Sequence, residues 1–285
     1  MKAHKITSAL VPMRNVGPLK IIGSVVDDEV MVPLATYETP LWPSVGRGAR
    51  VSKLAGGIRA TLVDERMSRS ILLEADDATQ AVMALNSIKS RLPEMNDVVS
   101  RSSRFAKLID INSQVVANLI YLRLEFTTGD ASGHNMVTNA ADHLFPWILQ
   151  NYPQLRYSSI SANYCSDKKA TAVNGILGRG KYVVTEVIIP RDLCIRRLKT
   201  TPEKVVDLNI KKNLIGTMIA GGLRSANAHY ANMLLAFYMA TGQDAANIIE
   251  GSQGVVHAEV RDGDLYFSAT LPNLIMGTVG NGKGL

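Results

Sequence analysis

The order of predicted elements in the middle of the chain limits the fold more than any other feature of the sequence. Alternating and helical apolar patterns predict six elements there: a strand at 71–74, a helix at 77–91, strands at 108–116 and 119–127, a helix at 134–152 and a strand at 157–161. Ala117 and Asn118 are a predicted hairpin turn between the two middle strands. This β-α-β-β-α-β order is that of the split βαβ, or ferredoxin-like, arrangement. We therefore expect a small ferredoxin-like domain at residues 70–160.

The rest of the chain is predicted to form a larger domain that the small one interrupts. A length of 285 residues is enough for about two domains. The two flanking parts, residues 1–69 and 161–285, contain these predicted elements: strands at 19–23, 30–34, 182–189, 257–260 and 265–271, and helices at 202–208, 213–241 and 245–250. Residues 1–16 are predicted to be an irregular basic lead-in, residues 27–29 an acidic turn, and residues 221–222 a glycine break in the long helix. The predicted class is α+β, with a large mixed α/β domain and an inserted small one.

Composition narrows the class of partner. Hydrophobic residues make up 46% of the chain, yet no run approaches the roughly 18 apolar residues of a membrane span, and residues 1–13 lack the apolar core of a signal peptide. We therefore expect a soluble, cytoplasmic protein. Cys165 and Cys194 form neither a disulfide framework nor a zinc motif, so no metal is expected. The formal charge of +6 favours anionic partners, but with scattered basic residues and only 6% aromatic residues, phosphorylated small molecules are favoured over nucleic acid.

Residues 161–181, SANYCSDKKATAVNGILGRGK, combine four cations and one acid with many small residues; we call this segment the lysine loop. Small side chains build little core, so a bound ligand explains the polar groups better. At its centre, Lys168 and Lys169 follow Asp167, and adjacent ammonium groups repel each other unless an anion or acid lies nearby. A lysine held near carboxylates in a dry site can polarise a carbonyl or stabilise an oxyanion. A solvated turn is the alternative interpretation of so short a motif.

Two other segments are candidates for ligand contacts. Glu38 follows a predicted strand and precedes residues 44–50, whose glycines let the backbone approach a ligand and whose arginines can bind phosphate or carboxylate. An acid at a helix start is the simpler interpretation of Glu38. Residues 128–135 lead directly into a predicted helix, whose N-terminal N–H groups can receive a phosphate. An ordinary capped helix start explains that segment equally well.

Two polar residues near the end of the chain, His229 and Asp244, are either structural or part of a site. His229 and Asn232 lie one turn apart on the predicted long helix, and a buried, hydrogen-bonded histidine is the simpler interpretation of His229. Asp244 either caps the next helix or faces a site.

A nucleotide-binding P-loop is rejected. Residues 175–181 fit GxxxxGK, but Tyr182 replaces the Ser or Thr whose hydroxyl would hold Mg²⁺. The residues that follow are also strand-like, whereas a P-loop leads from a strand into a helix.

Several motifs in this order resemble the 3-hydroxy-3-methylglutaryl-CoA (HMG-CoA) reductase family: VPLATYE, GDASGHNMV, SANYCSDKKATAVNGILGRGKYVV, NIKKNLIGTMIAGG, NAHYAN, ATGQDAAN and GTVGNG. The resemblance runs from about residue 17 to residue 285. It implies a ferredoxin-like small domain for a nicotinamide cofactor, inserted into a large domain that binds the CoA thioester. It also implies two hydride transfers that convert HMG-CoA through a mevaldehyde-level intermediate to mevalonate and CoA. The implied assembly is a homodimer, or a higher oligomer, with its active sites at the subunit interface.

The resemblance assigns roles residue by residue. It implies Glu38, Lys168 and Asp244 as the catalytic residues: Lys168 stabilises the oxyanion, Glu38 supplies a proton to the aldehyde oxygen, and Asp244 links the two. The implied acyl-group ligands are Arg69, Ser161, Asp167, Lys169, Lys212, His229 and Asn232, and the implied CoA contacts are Ser44, Arg47 and Arg50. The implied cofactor contacts are Ser103, Arg104, Asp130, Ser132, Gly133, Asn135, Met136, Gly178, Arg179, Gly180 and Lys181. Arg104 favours NADPH over NADH, because a guanidinium suits the 2′-phosphate.

The sequence departs from the family pattern at several positions. Thr39-Pro40 replaces the usual glycine after the catalytic glutamate, Gly175 stands where a large aromatic is common, and Arg224-Ser225 where small glycines are common. The family's catalytic histidine, which protonates the departing CoA thiolate, is expected beyond residue 285, and the N-terminal dimerising region is not found. We therefore expect either part of a longer reductase or a shortened protein with impaired turnover. A CoA-thioester or nucleotide-binding module without turnover is the alternative function.

Overall fold

Two sheets and ten short to medium helices make up residues 7–280, which the computed structural model describes. The strands are β1 (Met13–Ile22), β2 (Asp27–Ala35), β3 (Ile58–Glu74), β4 (Lys107–Val116), β5 (Leu119–Thr127), β6 (Arg156–Ile160), β7 (Gly180–Ile189), β8 (Val255–Arg261) and β9 (Asp264–Leu274). The α-helices are α1 (Leu41–Leu54), α2 (Ala78–Ser90), α3 (Leu92–Ser102), α4 (His134–Asn151), α5 (Ala172–Leu177), α6 (Arg191–Leu193), α7 (Pro202–Leu208), α8 (Thr217–Ile219), α9 (Tyr230–Ala240) and α10 (Ile248–Gly251). Wider or tighter helical turns lie at Cys194–Leu198, Asn209–Gly216 and Ala245–Asn247. The predicted α+β class is confirmed.

Strand β3 belongs to both sheets. Residues 59–66 pair antiparallel with β7, in a sheet whose order is β2-β1-β3-β7-β9-β8. Residues 67–74 pair antiparallel with β5, and residues 71–74 pair with β6 on the other side. Because β5 also pairs antiparallel with β4, the second sheet has the order β4-β5-β3-β6. One strand of 17 residues therefore connects the two sheets without a linker.

The second sheet and helices α2, α3 and α4 enclose the largest apolar core. Ile71 and Leu73 of β3 are fully buried against Ile88, Met95 and Leu144, one from each of these helices. The order from β3 to β6 is the predicted one with a further helix. The proposed division at residues 69 and 160 stays a prediction, and the first of these positions lies inside the continuous strand β3.

The additional helix follows from a local break that the sequence analysis did not use. Asp77 caps α2 by accepting a 2.8 Å hydrogen bond from Gln80 N. Arg91 then leaves the helical conformation at φ −102° and ψ 23°. Pro93 lies in the first turn of α3, where its missing N–H costs nothing and its fixed φ favours a new helix.

The first sheet packs against α1, α9 and the helices after β7. Trp42 of α1 is buried with Leu34 and Ala236, and its indole N–H donates to Leu34 O at 2.9 Å. A second cluster joins Val51 of α1 to Ile189 and Leu265. These contacts fix the end of β2, and with it the position of Glu38.

Two expectations for the flanking parts are wrong. Residues 13–16, expected to be irregular, begin β1, and the acidic residues 27–29 lie in β2 rather than in a turn. The turn is formed by residues 23–26, closed by a hydrogen bond of 2.6 Å from Gly23 N to Val26 O. Residues 44–50 form part of helix α1, which the glycines there had obscured.

The predicted helix at 213–241 is interrupted, and the interruption is longer than the glycine pair at 221–222 indicated. Helix ends at Ile219 and resumes at Tyr230, and both Arg224 and His229 adopt positive φ between these points. The segment 175–181 runs from α5 into β7, so its order is opposite to that of a P-loop. Across residues 7–280, no helix has the length and apolar character needed to cross a bilayer.

Candidate active site

The lysine loop, residues 161–181, has an unusual backbone that is held by its surroundings. Asn163, Ser166 and Lys168 all have positive φ, a conformation that side chains other than glycine seldom adopt. A tight turn accounts for part of it, since Ser166 N donates to Asn163 O at 3.0 Å. Such a conformation persists only where neighbouring groups fix it. The lysine loop is therefore shaped by contacts outside itself.

Arg123 of β5 is the main contact from the second sheet. Its guanidinium is fully buried and donates to Asn174 Oδ1 at 2.9 Å and to Gly178 O at 2.7 Å. It also donates to Glu125 Oε1 at 2.8 Å, and that carboxylate is fully buried too. Burial lowers the pKa of Arg123, opposed by the Glu125 contact. Strand β5 thus supports the lysine loop through the side chain of Arg123.

Sequence analysis missed Arg123 and Glu125 as functional residues. Charged residues two positions apart in a strand are normally assigned to the solvent face, and both sit among apolar neighbours in LIYLRLEFT. The available signal is that nearly every residue of β5 is buried, so charges there require buried partners.

Lys168 and Asp244 form the central ion pair. Lys168 Nζ lies 2.6 Å from Asp244 Oδ2, with the side chains 38% and 48% exposed. The hydrogen bond to Asp244 raises the pKa of Lys168, and the same bond lowers the pKa of Asp244. Asp244 Oδ1 also accepts from Ala246 N at 3.0 Å. Asp244 therefore caps a short helical turn, as one interpretation predicted, and its other carboxylate oxygen contacts Lys168.

Asp167 is held beside this pair by Arg179 and His134. Arg179 Nη2 lies 3.0 Å and His134 Nε2 3.5 Å from Asp167 Oδ1. Burial alone would raise the pKa of Asp167, but His134, Arg179 and Lys168 together hold it well below its ordinary value. A fixed anion thus lies next to the catalytic candidate Lys168.

One cavity of about 750 Å³ collects many of the predicted residues. Its lining includes residues predicted to bind the cofactor and residues predicted to bind or act on the substrate: Ser132, Gly133, Asn135 and Met136 in the first set, and Arg69, Asp167, Lys168 and Asp244 in the second. The first turn of α4 lines the same cavity, with its N–H groups and partial positive charge directed toward it. Gly133 has φ 91°, and a Cβ there would lie 2.5 Å from Thr128 Cγ2. The glycine is required for this close helix start.

A C-terminal segment, residues 276–280, fixes the loop before α4; we call it the strap. Thr278 N donates to Asp130 O at 2.8 Å. Gln243 exchanges two hydrogen bonds of 3.0 Å with the backbone of Gly277. A Cβ on Gly277 would lie only 2.4 Å from Ser132 N. The strap thus connects the residue before Asp244 to the loop at the mouth of the cavity.

Glu38 lies apart from the Lys168–Asp244 pair in a single chain. It lines a different cavity of about 460 Å³ together with Asn232, whose Nδ2 donates to Glu38 Oε2 at 2.5 Å. His229 stands at the start of α9 and is exposed, so the interpretation of His229 as a buried histidine is wrong. The prediction placed His229 inside a continuous helix, whereas it lies in the interruption between Ile219 and Tyr230.

The predicted CoA contacts lie on α1. Arg50 lines a cavity of about 590 Å³ with Arg14, Trp42 and Lys53. The Arg14 guanidinium carbon lies 4.9 Å from the centre of the Trp42 ring. Ser44 and Arg47 are exposed on the same helix without lining that cavity. The arrangement is a basic groove with one aromatic side wall.

The other predicted residues are placed outside these cavities. Ser161 Oγ lies 3.2 Å from Cys165 Sγ, and Lys169 and Lys212 are exposed. Ser103 accepts from Ala106 N at 3.0 Å, and the exposed Arg104 stacks on Phe105 at 5.7 Å. In the GRGK segment, Gly178 binds Arg123, Arg179 is 1% exposed between carboxylates, Gly180 is packed against Leu274, and Lys181 pairs with Glu65.

No group of three or more potential metal ligands occurs among residues 7–280. The arrangement in the main cavity is instead a cation held by carboxylates, next to a helix N-terminus. It defines the class of site that binds an anionic ligand and stabilises negative charge on an oxygen.

Comparison with known proteins gives the family. The family model for hydroxymethylglutaryl-coenzyme A reductase matches residues 4–285, and the chain belongs to that family. The 3-hydroxy-3-methylglutaryl-coenzyme A reductase of Pyrococcus abyssi is 45% identical over 274 residues, which cover 95% of this chain and 67% of the relative. That of Aeropyrum pernix is 42% identical, with 99% and 67% covered, and reductase 1 of Oryza sativa subsp. japonica is 41% identical, with 96% and 52% covered. The chain thus spans about two thirds of the archaeal relatives and about half of the rice protein.

The fold agrees with that of a solved reductase structure. A class II 3-hydroxy-3-methylglutaryl-CoA reductase from Streptococcus pneumoniae, bound to NADPH in open conformations, superimposes with a TM-score of 0.77. The sequences are 17% identical, and the match covers 98% of this chain and 75% of that one. The similarity shows a shared fold.

Proposed function

We propose that the protein is an NADPH-dependent reductase that converts HMG-CoA to mevalonate and CoA in the mevalonate pathway of isoprenoid biosynthesis. The observation that carries this proposal is the 2.6 Å contact between Lys168 and Asp244 in a cavity also lined by the first turn of α4. A cation at that position serves carbonyl reduction, in which the oxygen becomes negative. Relatives of up to 45% identity that bear the reductase name support it.

Lys168 provides the same stabilisation in both steps. Hydride addition to the thioester carbon places negative charge on its oxygen; the C–S bond then breaks to leave an aldehyde and the CoA thiolate, which takes up a proton. A second hydride addition and protonation of the oxygen give the alcohol of mevalonate. Because Asp244 raises the pKa of Lys168, the lysine stays a cation across the physiological pH range.

Glu38 is the proposed proton donor to the aldehyde oxygen. Asn232 orients its carboxyl group by the 2.5 Å hydrogen bond, but both line a cavity other than that of Lys168. This separation supports an active site completed between two copies of the chain. We therefore propose a homodimer with interfacial active sites.

The residues that line the cavity beside Lys168 are suited to bind NADPH. The N–H groups at the start of α4 can receive the pyrophosphate, and Gly133 permits close approach there. One NADPH would supply each of the two hydrides. Arg104, exposed at the end of α3, is the proposed ligand of the 2′-phosphate, which favours NADPH over NADH. The basic groove around Arg50 is the proposed CoA contact, and a cytoplasmic location is proposed with these small-molecule partners.

The test is nicotinamide absorbance in the presence of the purified protein, with NADPH or NADH and with HMG-CoA or mevaldehyde. We expect NADPH oxidation, and a loss of at least about 100-fold in kcat in Lys168→Ala. Lys204→Ala removes an exposed lysine of α7 and is the matched control.

Two results would decide against parts of this proposal. Undiminished turnover in Lys168→Ala would exclude the lysine from the chemistry. If folded wild-type protein binds NADPH and CoA but oxidises no NADPH, the non-catalytic binding module is the better function.

A further inference from the structure

Glu250 is a buried acid that is not among the predicted site residues. It lies in α10, is fully buried, and its Oε1 accepts from Arg179 Nη1 at 2.8 Å. The same oxygen accepts from the backbone N–H of Lys168 at 3.1 Å. A carboxylate taken wholly out of water is retained only with strong partners, and here its partners are a buried guanidinium and the lysine backbone.

The contact between Glu250 and the backbone N–H of Lys168 lies at a residue with an unfavourable backbone conformation. Lys168 has φ 55°, so its backbone is in the left-handed region, and the direction of its side chain depends on that conformation. Its Nζ pairs with the half-exposed Asp244, a contact that alone does not fix the backbone. Glu250 holds the N–H of the same residue from the protein interior. The backbone anchor and the side-chain partner thus come from two different elements.

Arg179 extends this support to the residue before Lys168. Its Nη1 binds Glu250 and its Nη2 lies 3.0 Å from Asp167 Oδ1, while only 1% of its side chain is exposed. Glu250 and Asp167 therefore share one guanidinium. Loss of the Glu250 charge would leave Arg179 with Asp167 as its carboxylate partner and would change the field at Lys168.

We propose that Glu250 is a positioning residue for Lys168: it fixes the left-handed backbone of the lysine and, through Arg179, the orientation of Asp167. This inference rests on the proposed function, because it assigns a task to Glu250 in that same reaction. Glu250 touches no reacting atom in this arrangement. Its effect is exerted through the position and charge state of the lysine.

The charge on Lys168 gives the proposal a specific signature. The carboxylates around it, those of Asp244, Asp167 and Glu250, favour the ammonium form of Lys168. The guanidinium groups of Arg179 and Arg69 oppose it, and the His134 ring lines the same cavity. Removal of one of the three carboxylates lowers the pKa of Lys168. The alkaline limb of the kcat–pH profile then moves to lower pH.

The experiment compares Glu250→Gln, Glu250→Asp and wild-type protein. In Glu250→Gln we expect kcat to fall about tenfold, KM for NADPH and HMG-CoA to change less than about twofold, and the alkaline limb to shift to lower pH. Glu250→Asp keeps the charge, so its alkaline limb should stay near that of wild type. The side-chain NMR titration of Lys168 should shift in the same sense, and this readout requires no turnover.

Glu125→Gln is the matched control. Glu125 is an equally buried carboxylate paired with a buried arginine, yet it has no contact with Lys168. The Glu125→Gln variant should lose about as much thermal stability as Glu250→Gln and should leave the pKa of Lys168 unchanged.

The outcomes separate the two proposals. An unchanged Lys168 titration in folded Glu250→Gln, or equal shifts in Glu250→Gln and Glu125→Gln, would overturn the role of Glu250. If Glu250→Gln does not fold, the aspartate variant decides, because its shorter side chain keeps the charge but withdraws the carboxylate from Lys168 N. A lowered kcat with an unshifted titration supports the proposal, and an unchanged kcat contradicts it. If the wild-type protein has no reductase activity but the pKa of Lys168 still falls in Glu250→Gln, only the proposed function is refuted.

Discussion

Asp167 illustrates how a single residue gives the site a pH dependence. Its carboxylate is 27% exposed and is held beside Arg179 and His134, which keep its pKa well below the ordinary value. A carboxyl group whose pKa is depressed on folding stabilises the native state above its unfolded pKa of about 3.9, and that contribution is lost as the pH falls toward the folded pKa.

We expect Asp167→Asn to be less stable than wild type at pH 6, by on the order of 2 kcal/mol. The difference should shrink steadily below about pH 4, because the wild-type carboxylate then becomes protonated. Urea denaturation across this pH range measures it. Asp192→Asn, which removes an exposed acid paired with Arg196, is the control. A difference that stays constant with pH would mean that the carboxylate charge is not what stabilises the fold.

At the scale of elements, the lysine loop depends on strand β5. Arg123 makes hydrogen bonds with Asn174 and Gly178 while neutralising Glu125. In Arg123→Met the loop loses these bonds and Glu125 keeps only Arg66 as a cationic partner. We expect a loss of about 3–5 kcal/mol in unfolding free energy and faster amide exchange in residues 161–181.

Urea denaturation and hydrogen exchange provide the two measurements for Arg123→Met. Arg91→Met is the control, since Arg91 pairs with Glu94 at the surface and should matter far less. Exchange that accelerates over the whole protein, and not first in the lysine loop, would contradict a local role for Arg123.

The strap is predicted to act on the cofactor. An alanine at position 277 would bring a Cβ within 2.4 Å of Ser132 N, so the strap or the loop before α4 has to move. We expect Gly277→Ala to raise KM for NADPH about tenfold and to change KM for HMG-CoA much less. Gly23→Ala, whose Cβ would make ordinary contacts of at least 3.4 Å, is the control. Equal rises in both KM values would indicate a general disturbance.

These elements also show what the sequence can and cannot predict. Strands β4 and β5 and helices α2 and α4 follow directly from apolar periodicity, as does the end of β7 at Pro190. Helix α1 was not predicted, because Gly46 and Gly48 weaken its helical signal. Lys168 and Asp244 were each singled out as candidates from the sequence, but only the resemblance to family motifs placed them in one catalytic group, since no local pattern relates residues so far apart in the chain.

Buried charges account for the rest of what was missed. Arg123 and Glu250 have ordinary positions in the sequence, and periodicity assigns such residues to the surface. Their roles depend on partners such as Gly178 and Arg179 that the chain brings near only after folding. Composition therefore indicated an anion site but not the residues that support it.

At the scale of the whole molecule, the separation of Glu38 from Lys168 predicts complementation between chains. If each active site takes these two residues from different copies, Glu38→Gln and Lys168→Ala are each inactive alone. A mixed dimer of the two variants would contain one intact site. Refolding them together in equal amounts should restore about a quarter of wild-type activity. Light scattering gives the oligomeric state, and activity that stays at the level of the separate variants would contradict this arrangement.

Strand β3 has a consequence for how the molecule melts. Residues 59–66 of β3 belong to one sheet and residues 67–74 to the other, so the two sheets are joined by continuous strand without a flexible linker and are expected to lose their order together. Heating should therefore produce a single cooperative transition, with equal calorimetric and van't Hoff enthalpies for each folding unit. Cleavage of the chain within β3 would divide that cooperativity, even though it leaves every residue of the candidate active site unchanged.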